Sequence, residues 1–599
     1  MRRESLRTAA DLVGELGAEI GLRLPAVQVT GDDPVLPSDF RIGTAAAASI
    51  GAVTAAVALI MEERAREEAR TEPLGGAGGF VGSGGRSVGS VGLSEGSGGV
   101  VGSGGGSVGP VVVGMREAVV TFRDERYLLV DGEATPMWAP LSGDYRAADG
   151  WVRLHCNFDH HRDAALRALG LALGSAREDV VAACARRAAA DVEQAVIDEG
   201  GCAAAMRSPA EWRAHPQARA IAGTPLVRVA RLDDGFPVGA IDDGSTPISI
   251  SRANPQVTAR AAVTLPDPCP RSEKGDGDAN PHPAERDRDM RSRLGEGDRG
   301  QDPCSREQVG NLEPRSFEGG GSRGSCFRDG AQGRDLRSGV RLQGLGARPL
   351  AGVRVLDLTR VIAGPVAARV LAAYGAEVLR VGAAHLPEVP GAVIGTAFGK
   401  RSCEIDLRTA EGAAAFRGLV AGADVVMQAY RPGALAALGF GVAELAAIRP
   451  GIVCVDISAY GADGPWAGRR GFDSLVQMAC GIAWEGGDGE RPVPLPAQVL
   501  DHATGWLAAL GALAGLLRRR AEGGSWHAEL SLARTAQWLD GLGRVDGQGA
   551  ADPDPSDFLA EMDGPDGRLT YVRPPGRIGD LSPFWSSPPP RRGEHPPTW

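Results

Sequence analysis

A carboxylate stands at Asp501 in the run QVLDHATG, directly ahead of an Ala-rich stretch with helical spacing. An aspartate in that place has two uses: a nucleophile that opens an activated acyl group, or an N-cap whose oxygen accepts a first-turn N–H. His502 follows at once. Neighbouring helical residues diverge by about 100°, so the imidazole is not expected to face what Asp501 faces. A second chemically rich segment holds His155, Cys156, Asp159, His160 and His161, three of the nine histidines of the chain. On an extended segment His155 and His161 share a face, which suits a metal ion. No further ligand accompanies them at metal-site spacing, so a packed turn or a pocket wall is expected and no metal. The nine cysteines are scattered without a CxxC pair, and Cys269, Cys304 and Cys326 fall in a polar stretch where exposed thiols are expected.

These residues need elements to hold them. From Leu350, VRVLDL reads as a short apolar strand; VIAGPVAARVLAAYGAEVLRV then carries a Gly-Pro turn into a helix that ends at Gly375 before a second strand. ADVVMQ and IVCVDIS add two β-branched runs separated by helical stretches. Strand and helix alternate, which predicts an α/β fold with a parallel sheet in a Rossmann-like large domain over 349–545. No GxGxxG follows the first strand, so dinucleotide binding is not indicated. Residues 115–265 read as a small α+β domain: Tyr127 to Val130 is strand-like, YRAADGWVRLHC alternates about a turn at Asp149-Gly150, and Ala-rich helices follow. Residues 1–72 read as helical. Their uncharged run Ile42 to Met61 is too rich in Ala, Gly and Thr for membrane insertion and predicts a buried helix. Residues 73–114 hold 18 Gly in 42 positions, with VGSGGRSVGS returning as VGSGGGSVGP, which predicts a flexible insertion. Residues 266–348 predict a disordered charged linker, and 546–599 a Pro-rich tail.

The 599 residues carry 64 Lys plus Arg against 75 Asp plus Glu, a net charge of −11 that offers no broad cationic face to nucleic acid. The opening MRRESLRTAADLVGELGAEIGL spaces its apolar residues helically and lacks the continuous apolar run of a signal peptide. With the scattered cysteines, this predicts a cytoplasmic protein without a membrane partner.

Five segments in order, LAGVRVLDLTRVIAGP, GKRSCEIDLRTAEG, AYRPGALAALGF, AYGADGPWAGRRGFDSLVQ and LPAQVLDHATGWLAALGALAGLLRRR, resemble the class III CoA-transferases of the CaiB/BaiF type, the family of formyl-CoA transferase and the α-methylacyl-CoA racemases. The resemblance implies a CoA transferase acting on an acyl-CoA and a carboxylic acid, with coenzyme A as substrate and no bound cofactor. It places Asp501 as the nucleophile, forming a mixed anhydride and then a thioester with CoA. For CoA and substrate it points to Val361 and Ile362 at the first turn, Lys400 and Arg401 in GKRS, Tyr430 in AYRPG, and Arg470 and Phe472 in RRGFD. Cations would suit the phosphates and an aromatic face the adenine. Racemases of the family resemble GHD where this chain has Gly471-Phe472-Asp473, and phenylalanine cannot transfer a proton, which favours a transferase. Ile362 stands where the formyl-CoA transferase branch has Gln, and Ala429-Tyr430 where some relatives have Asn-Phe. Oxalate and formate are therefore not expected substrates.

The segments YRAADGWVRLHCNFDHHRDAALRALG and SPAEWRAHPQARAIAGTPLVRV are similar to the small domain that follows the large domain in ordinary family members; here they come first. Aligning IGAVTAAVALIMEER with LGALAGLLRRR through Gly51 and Gly511 sets Phe40-Arg41 opposite Leu500-Asp501. Residues 1–72 thus resemble a partial copy of the large domain in which Arg41 replaces the nucleophile. Family members form interlocked dimers, so this fusion implies a pseudo-dimeric monomer or a homodimer. A racemase or isomerase of the same fold, and a non-catalytic acyl-CoA-binding protein, stand as alternatives.

Overall fold

The computed structural model describes residues 6–71, 108–232 and 348–599, all within one compact unit. The charged linker, residues 72–107 of the Gly-rich tract and residues 233–265 of the small domain lie outside the described residues, as do Cys269, Cys304 and Cys326. In chain order the N-terminal part comprises α1 (Ala9–Glu19), β1 (Val27–Thr30), α2 (Ile42–Thr71), β2 (Val111–Gly114), α3 (Met115–Thr121), α4 (Asp124–Tyr127), β3 (Leu129–Val130) and β4 (Glu133–Ala134). A small α+β unit follows: β5 (Gly143–Arg146), β6 (Trp151–Leu154), α5 (Asp159–Ala168), α6 (Arg177–Cys184), α7 (Ala189–Asp198), β7 (Ala203–Ala205), α8 (Pro209–Ala214) and α9 (Pro216–Ala222), then β8 (Arg228–Arg231). The C-terminal part carries β9 (Arg354–Asp357), α10 (Ala363–Ala373), β10 (Glu377–Gly382), α11 (Pro390–Thr396), β11 (Lys400–Glu404), α12 (Ala410–Ala421), β12 (Val425–Gln428), α13 (Val442–Ile448), β13 (Val453–Ser458), α14 (Asp473–Ala479), α15 (Ile482–Glu485), α16 (Val499–Glu522), β14 (Trp526–Ser531) and α17 (Leu532–Gly541), and it ends in β15 (Leu559–Gly564), β16 (Gly567–Val572) and β17 (Arg577–Ile578).

The main sheet has seven strands in the order β11-β10-β9-β12-β13-β14-β8. Strands β9 to β14 run parallel, and β8 pairs antiparallel with β14, Trp526 opposite Arg231. The alternation of strand and helix gives this Rossmann-like layer because β-branched runs such as VVMQ and VCVDIS are covered on both faces and need no polar side. Val355, Val425, Val453 and Val455 are completely buried. Helices α10 and α16 cross its face; all eleven residues of α10 and the run Val499 to Leu517 of α16 are buried. A helix apolar on every side belongs in a core. Its partner α2 packs beside it, and both are long and apolar enough to span a bilayer by composition, yet both are sheathed by protein.

The pairing of β1, β2 and β17 repeats the arrangement at the other end of the molecule. β1 and β2 are parallel and β17 is antiparallel to β2, as β13 and β14 are parallel and β8 is antiparallel to β14. The edge strands are exchanged: β8, from the N-terminal part, completes the C-terminal sheet, while β17, from the C-terminal part, completes the N-terminal one. A third sheet, β15-β16-β3-β4, also draws on both parts. Among the described residues, three of the four sheets therefore bind the two parts to each other.

Three expected boundaries change. Residues 546–599 are not a tail, because β16 and β17 pair with the N-terminal strands β3 and β2, β15 pairs with β16, and Leu569, Val572, Ile578 and Trp585 are buried. Val111–Gly114, at the end of the Gly-rich tract, is a strand: three successive valines bury Val111 and Val113 against α2. The small unit is narrower than 115–265, since α3 packs on α2, β3 and β4 join the shared sheet, and β8 belongs to the main one. The Asp149-Gly150 turn does join β5 to β6.

Candidate active site

Asp501 is the third residue of α16, with Gln498 at the N-cap, so the capping role left open by the sequence does not apply. Its carboxylate is 7% exposed and accepts no hydrogen bond among the described residues, while its own N–H donates to Asp473 Oδ2 at 2.9 Å. Burial, then the negative charges of Asp473 and Glu125, hold the Asp501 carboxyl well above the usual carboxylate range. Asp473 opens α14 and is likewise buried, which pushes its carboxyl up to about 6 against the pull of the Asp501 and Leu500 N–H groups and the Gln477 amide.

His502 turns away from Asp501, as expected. It is fully buried, its Nε2 lies 3.1 Å from Glu125 Oε2 and 3.9 Å from Asp124 Oδ1, and its ring stacks on Phe122 at 5.4 Å. Burial opposes both charges, yet the bond between them keeps Glu125 below and His502 above their ordinary values. Asp124 in turn pairs with Arg369 of α10. Through this chain of charges α4, from the N-terminal part, ties down α10 and the first turn of α16 together. Asp124, Glu125 and His502 also bring ligand atoms within 4.8 Å of one another, but Arg369 already supplies a cation there.

The first turn of α10 packs against α16 at Gly505, one turn beyond Asp501. A Cβ added at Gly505 would stand 2.5 Å from the Ala363 carbonyl oxygen and 3.0 Å from Val366, so only glycine admits this contact. Val361 and Ile362 precede that turn; Ile362 is the N-cap and Val361 has φ +71°, a conformation foreign to a β-branched residue. The wall facing them comes from the small unit. His155 stacks on Phe472 with ring centres 3.6 Å apart and planes 2° from parallel. Phe158 joins Val389 and Ala392, with Val361 and Phe472 packed alongside. Burial keeps His155 and His161 neutral, each pulled down to about 3. The Nδ1 atoms of both are buried without a partner, and His161 Nε2 lies 3.6 Å from Cys202 Sγ.

Thus Val361 and Phe472 pack in one cluster with Phe158, the rings of His155 and His161 lie against Phe472, and Asp501 is bound through its N–H to Asp473, the residue after Phe472. The basic residues do not all follow. Lys400 points inward: its Nζ, without exposure, donates to Asp357 Oδ2 at 2.7 Å and to the Pro365 carbonyl at 2.8 Å, so the expectation that it meets a phosphate is corrected. Arg401 donates to the Thr598 carbonyl at 2.9 Å. Arg470 donates to the Gly200 carbonyl at 2.6 Å and pairs with no carboxylate among the described residues. Tyr430 packs with the cluster around Phe416 and Phe440. Asp473 and Glu125 were missed. Asp473 sits inside the quoted RRGFD segment, whereas Glu125 lies in no motif and meets His502 only through the fold.

Residues 350–542 match the model of CoA-transferase family III. The chain is 36% identical over 193 residues to a probable fatty acyl-CoA transferase of Mycobacterium tuberculosis, covering 30% of this chain and 48% of that one. It is 36% identical over 197 residues to a succinyl-CoA–D-citramalate CoA-transferase of Chloroflexus aurantiacus, covering 29% and 47%. It is 35% identical over 199 residues to an acetyl-coenzyme A transferase of Hypoxylon pulicicidum, covering 32% and 34%. The crystal structure of the mycobacterial protein aligns at 32% identity over 33% of this chain and 58% of its own, with a TM-score of 0.31. The chain thus spans between about a third and a half of the length of these curated relatives. The family match covers the parallel-sheet part that holds Asp501.

Proposed function

We propose that this chain is an acyl-CoA:carboxylate CoA-transferase with Asp501 as its covalent nucleophile. The observation that carries the reading is Asp501 itself, buried at a helix start with no hydrogen bond to its carboxylate among the described residues, and with its N–H on Asp473, next in sequence to Phe472, where proton transfer would need an imidazole. An Asp501 oxygen attacks the thioester carbon, the C–S bond breaks, and CoA leaves as thiolate from a mixed anhydride. The thiolate then attacks the aspartyl carbonyl, releasing the donor carboxylate and leaving CoA joined to Asp501 as a thioester. The acceptor carboxylate reverses the two steps and departs as the new acyl-CoA. Excluding water matters because either intermediate hydrolyses, and the Phe472–His155 stack and the Phe158 cluster supply that cover. Since the wall comes from the N-terminal part and Asp501 from the C-terminal part, one chain furnishes both sides of the site.

A second reading, α-proton exchange on an acyl-CoA, is favoured by one contact: the His155 imidazole lies against Phe472 with a free Nδ1. Intact-protein mass spectrometry after incubation with a panel of acyl-CoAs and trapping with hydroxylamine separates the two. The transferase gives an adduct on the peptide bearing Asp501, absent from Asp501→Ala. Deuterium uptake into the acyl-CoA from deuterated water, with no adduct, supports the second reading instead.

A further inference from the structure

The pair Lys400–Asp357 is out of reach of solvent, with no exposure of either side chain, so it can neither bind nor exchange a ligand directly. A buried ion pair is a poor source of stability, and its retention asks what it holds in place. Its reach is specific. Asp357 ends β9, and its Oδ1 accepts the Thr359 N–H at 2.9 Å and the Thr359 hydroxyl. Lys400, at the start of β11, donates to the carbonyl of Pro365 in the first turn of α10. Between Thr359 and Pro365 lies the whole turn that carries Val361 and Ile362. Within it Gly364 is so close to Thr359 that an added Cβ would stand 2.3 Å from the threonine Cβ.

Val361 occupies this turn at φ +71°. Such a conformation in a β-branched residue persists only where the surroundings dictate it, and it is commonest where a backbone must meet a ligand in one arrangement. Two anchors, Asp357 on the Thr359 side and Lys400 on the Pro365 side, are placed to dictate it. We propose that Lys400 is a positioning residue: with Asp357 it clamps both ends of the Thr359–Pro365 turn and holds Val361 in its left-handed conformation, so that the turn presents one fixed backbone to the CoA ester beside α16. The assignment rests on the CoA-transferase reading for its ligand, though not for its geometry.

The test uses the full chain, free coenzyme A as probe by calorimetry, and thermal melting. Replacing the pair together, as Asp357→Asn with Lys400→Met, avoids stranding one buried charge. This double variant is expected to melt cooperatively and to bind coenzyme A at least tenfold more weakly. Adding Val361→Gly, which takes a positive φ without strain and needs no clamp, is expected to restore most of that loss, a recovery that general destabilisation would not give. Should the double variant fail to fold, Thr359→Val, which cuts the hydroxyl link and leaves the ion pair, is expected to show the same weakening and the same recovery. Unchanged affinity in a folded variant, or no recovery with glycine, overturns the proposal. A chain that binds no coenzyme A in its native form defeats the functional reading instead. The clamp is then judged by melting alone: Val361→Gly must melt above Val361→Ala in the native chain, and that advantage must shrink when the pair is replaced. Alanine equal to or above glycine, or an advantage independent of the pair, refutes it.

Discussion

Replacing Asp473 by asparagine tests what sets the charge on Asp501. Asp473 Oδ2 accepts the Asp501 N–H at 2.9 Å, and an asparagine oxygen can keep that bond while the negative charge disappears. At an effective dielectric of about 20, like charges within the ~4–6 Å over which neighbours shift one another repel by about 3 kcal/mol, or roughly two pK units. Asp473 is itself held up to about 6 and so is not fully ionised at mildly acidic pH, which trims the visible shift to about 1–2 units. The sign is fixed: removing a neighbouring anion favours the Asp501 anion, so its carboxyl moves down. The assay is the initial rate of Asp501 adduct formation from an acyl-CoA, read by mass against pH from about 4.5 to 8.5. In the native chain the rate should fall on the acid side at a value well above an ordinary aspartate. In Asp473→Asn that limb should move to lower pH by about 1–2 units while the plateau stays within a few-fold. A limb that stays put or moves upward in a variant with a native melting profile would refute the electrostatic account.

Glu125→Gln should lower stability by about 2 kcal/mol, since it leaves His502 buried without its anion. Glu125 is held below 4.5 and His502 above 6.5, so the glutamate's share is present above 4.5 and fades as pH falls through its folded value, while the histidine's is present below 6.5 and fades as pH rises through its folded value. Denaturant titrations of both proteins should therefore differ most between those two values, and a difference that keeps growing above pH 8 would count against the pair. Gly505→Ala drives a methyl group into the Ala363 carbonyl and should cost about 1–3 kcal/mol in the same titration; a neutral result would mean that α10 and α16 are not in this contact. A single protease cut between residues 233 and 347 should leave both fragments co-eluting on gel filtration, although they separate in denaturant, because β8 and β17 are exchanged between them. Separate elution under native conditions would contradict the shared sheets.

The parallel sheet was legible because its strands are buried on both faces and therefore read as unbroken β-branched runs between helical stretches. Asp501 was legible only with its ordered neighbours; spacing alone favoured a cap. The strands that exchange were hidden for a different reason. β15 to β17 lie among prolines, glycines and aspartates, and β2 closes a glycine tract, so local composition announces turns where distant partners impose pairing. Lys400 shows what periodicity still held: in β11 side chains alternate, and Lys400 and Ser402 face inward while Arg401 is part-exposed, so two adjacent cations could not both reach a phosphate. Glu125 and Asp473 carry no such trace, since a carboxylate's use depends on which charge the fold brings to it.

The exchanged edge strands also set the order in which this protein can be completed during synthesis. β1 and β2 can pair with each other once both are made, but the strand that closes their sheet, β17, leaves the ribosome only after the whole of the intervening chain. Until then β2 offers an open row of backbone donors and acceptors, and α2 a long apolar surface whose partner α16 has yet to be made. A nascent chain of this design therefore stays open until β17 arrives, and its yield depends on holding that early edge apart from other chains for the time taken to translate the chain between them.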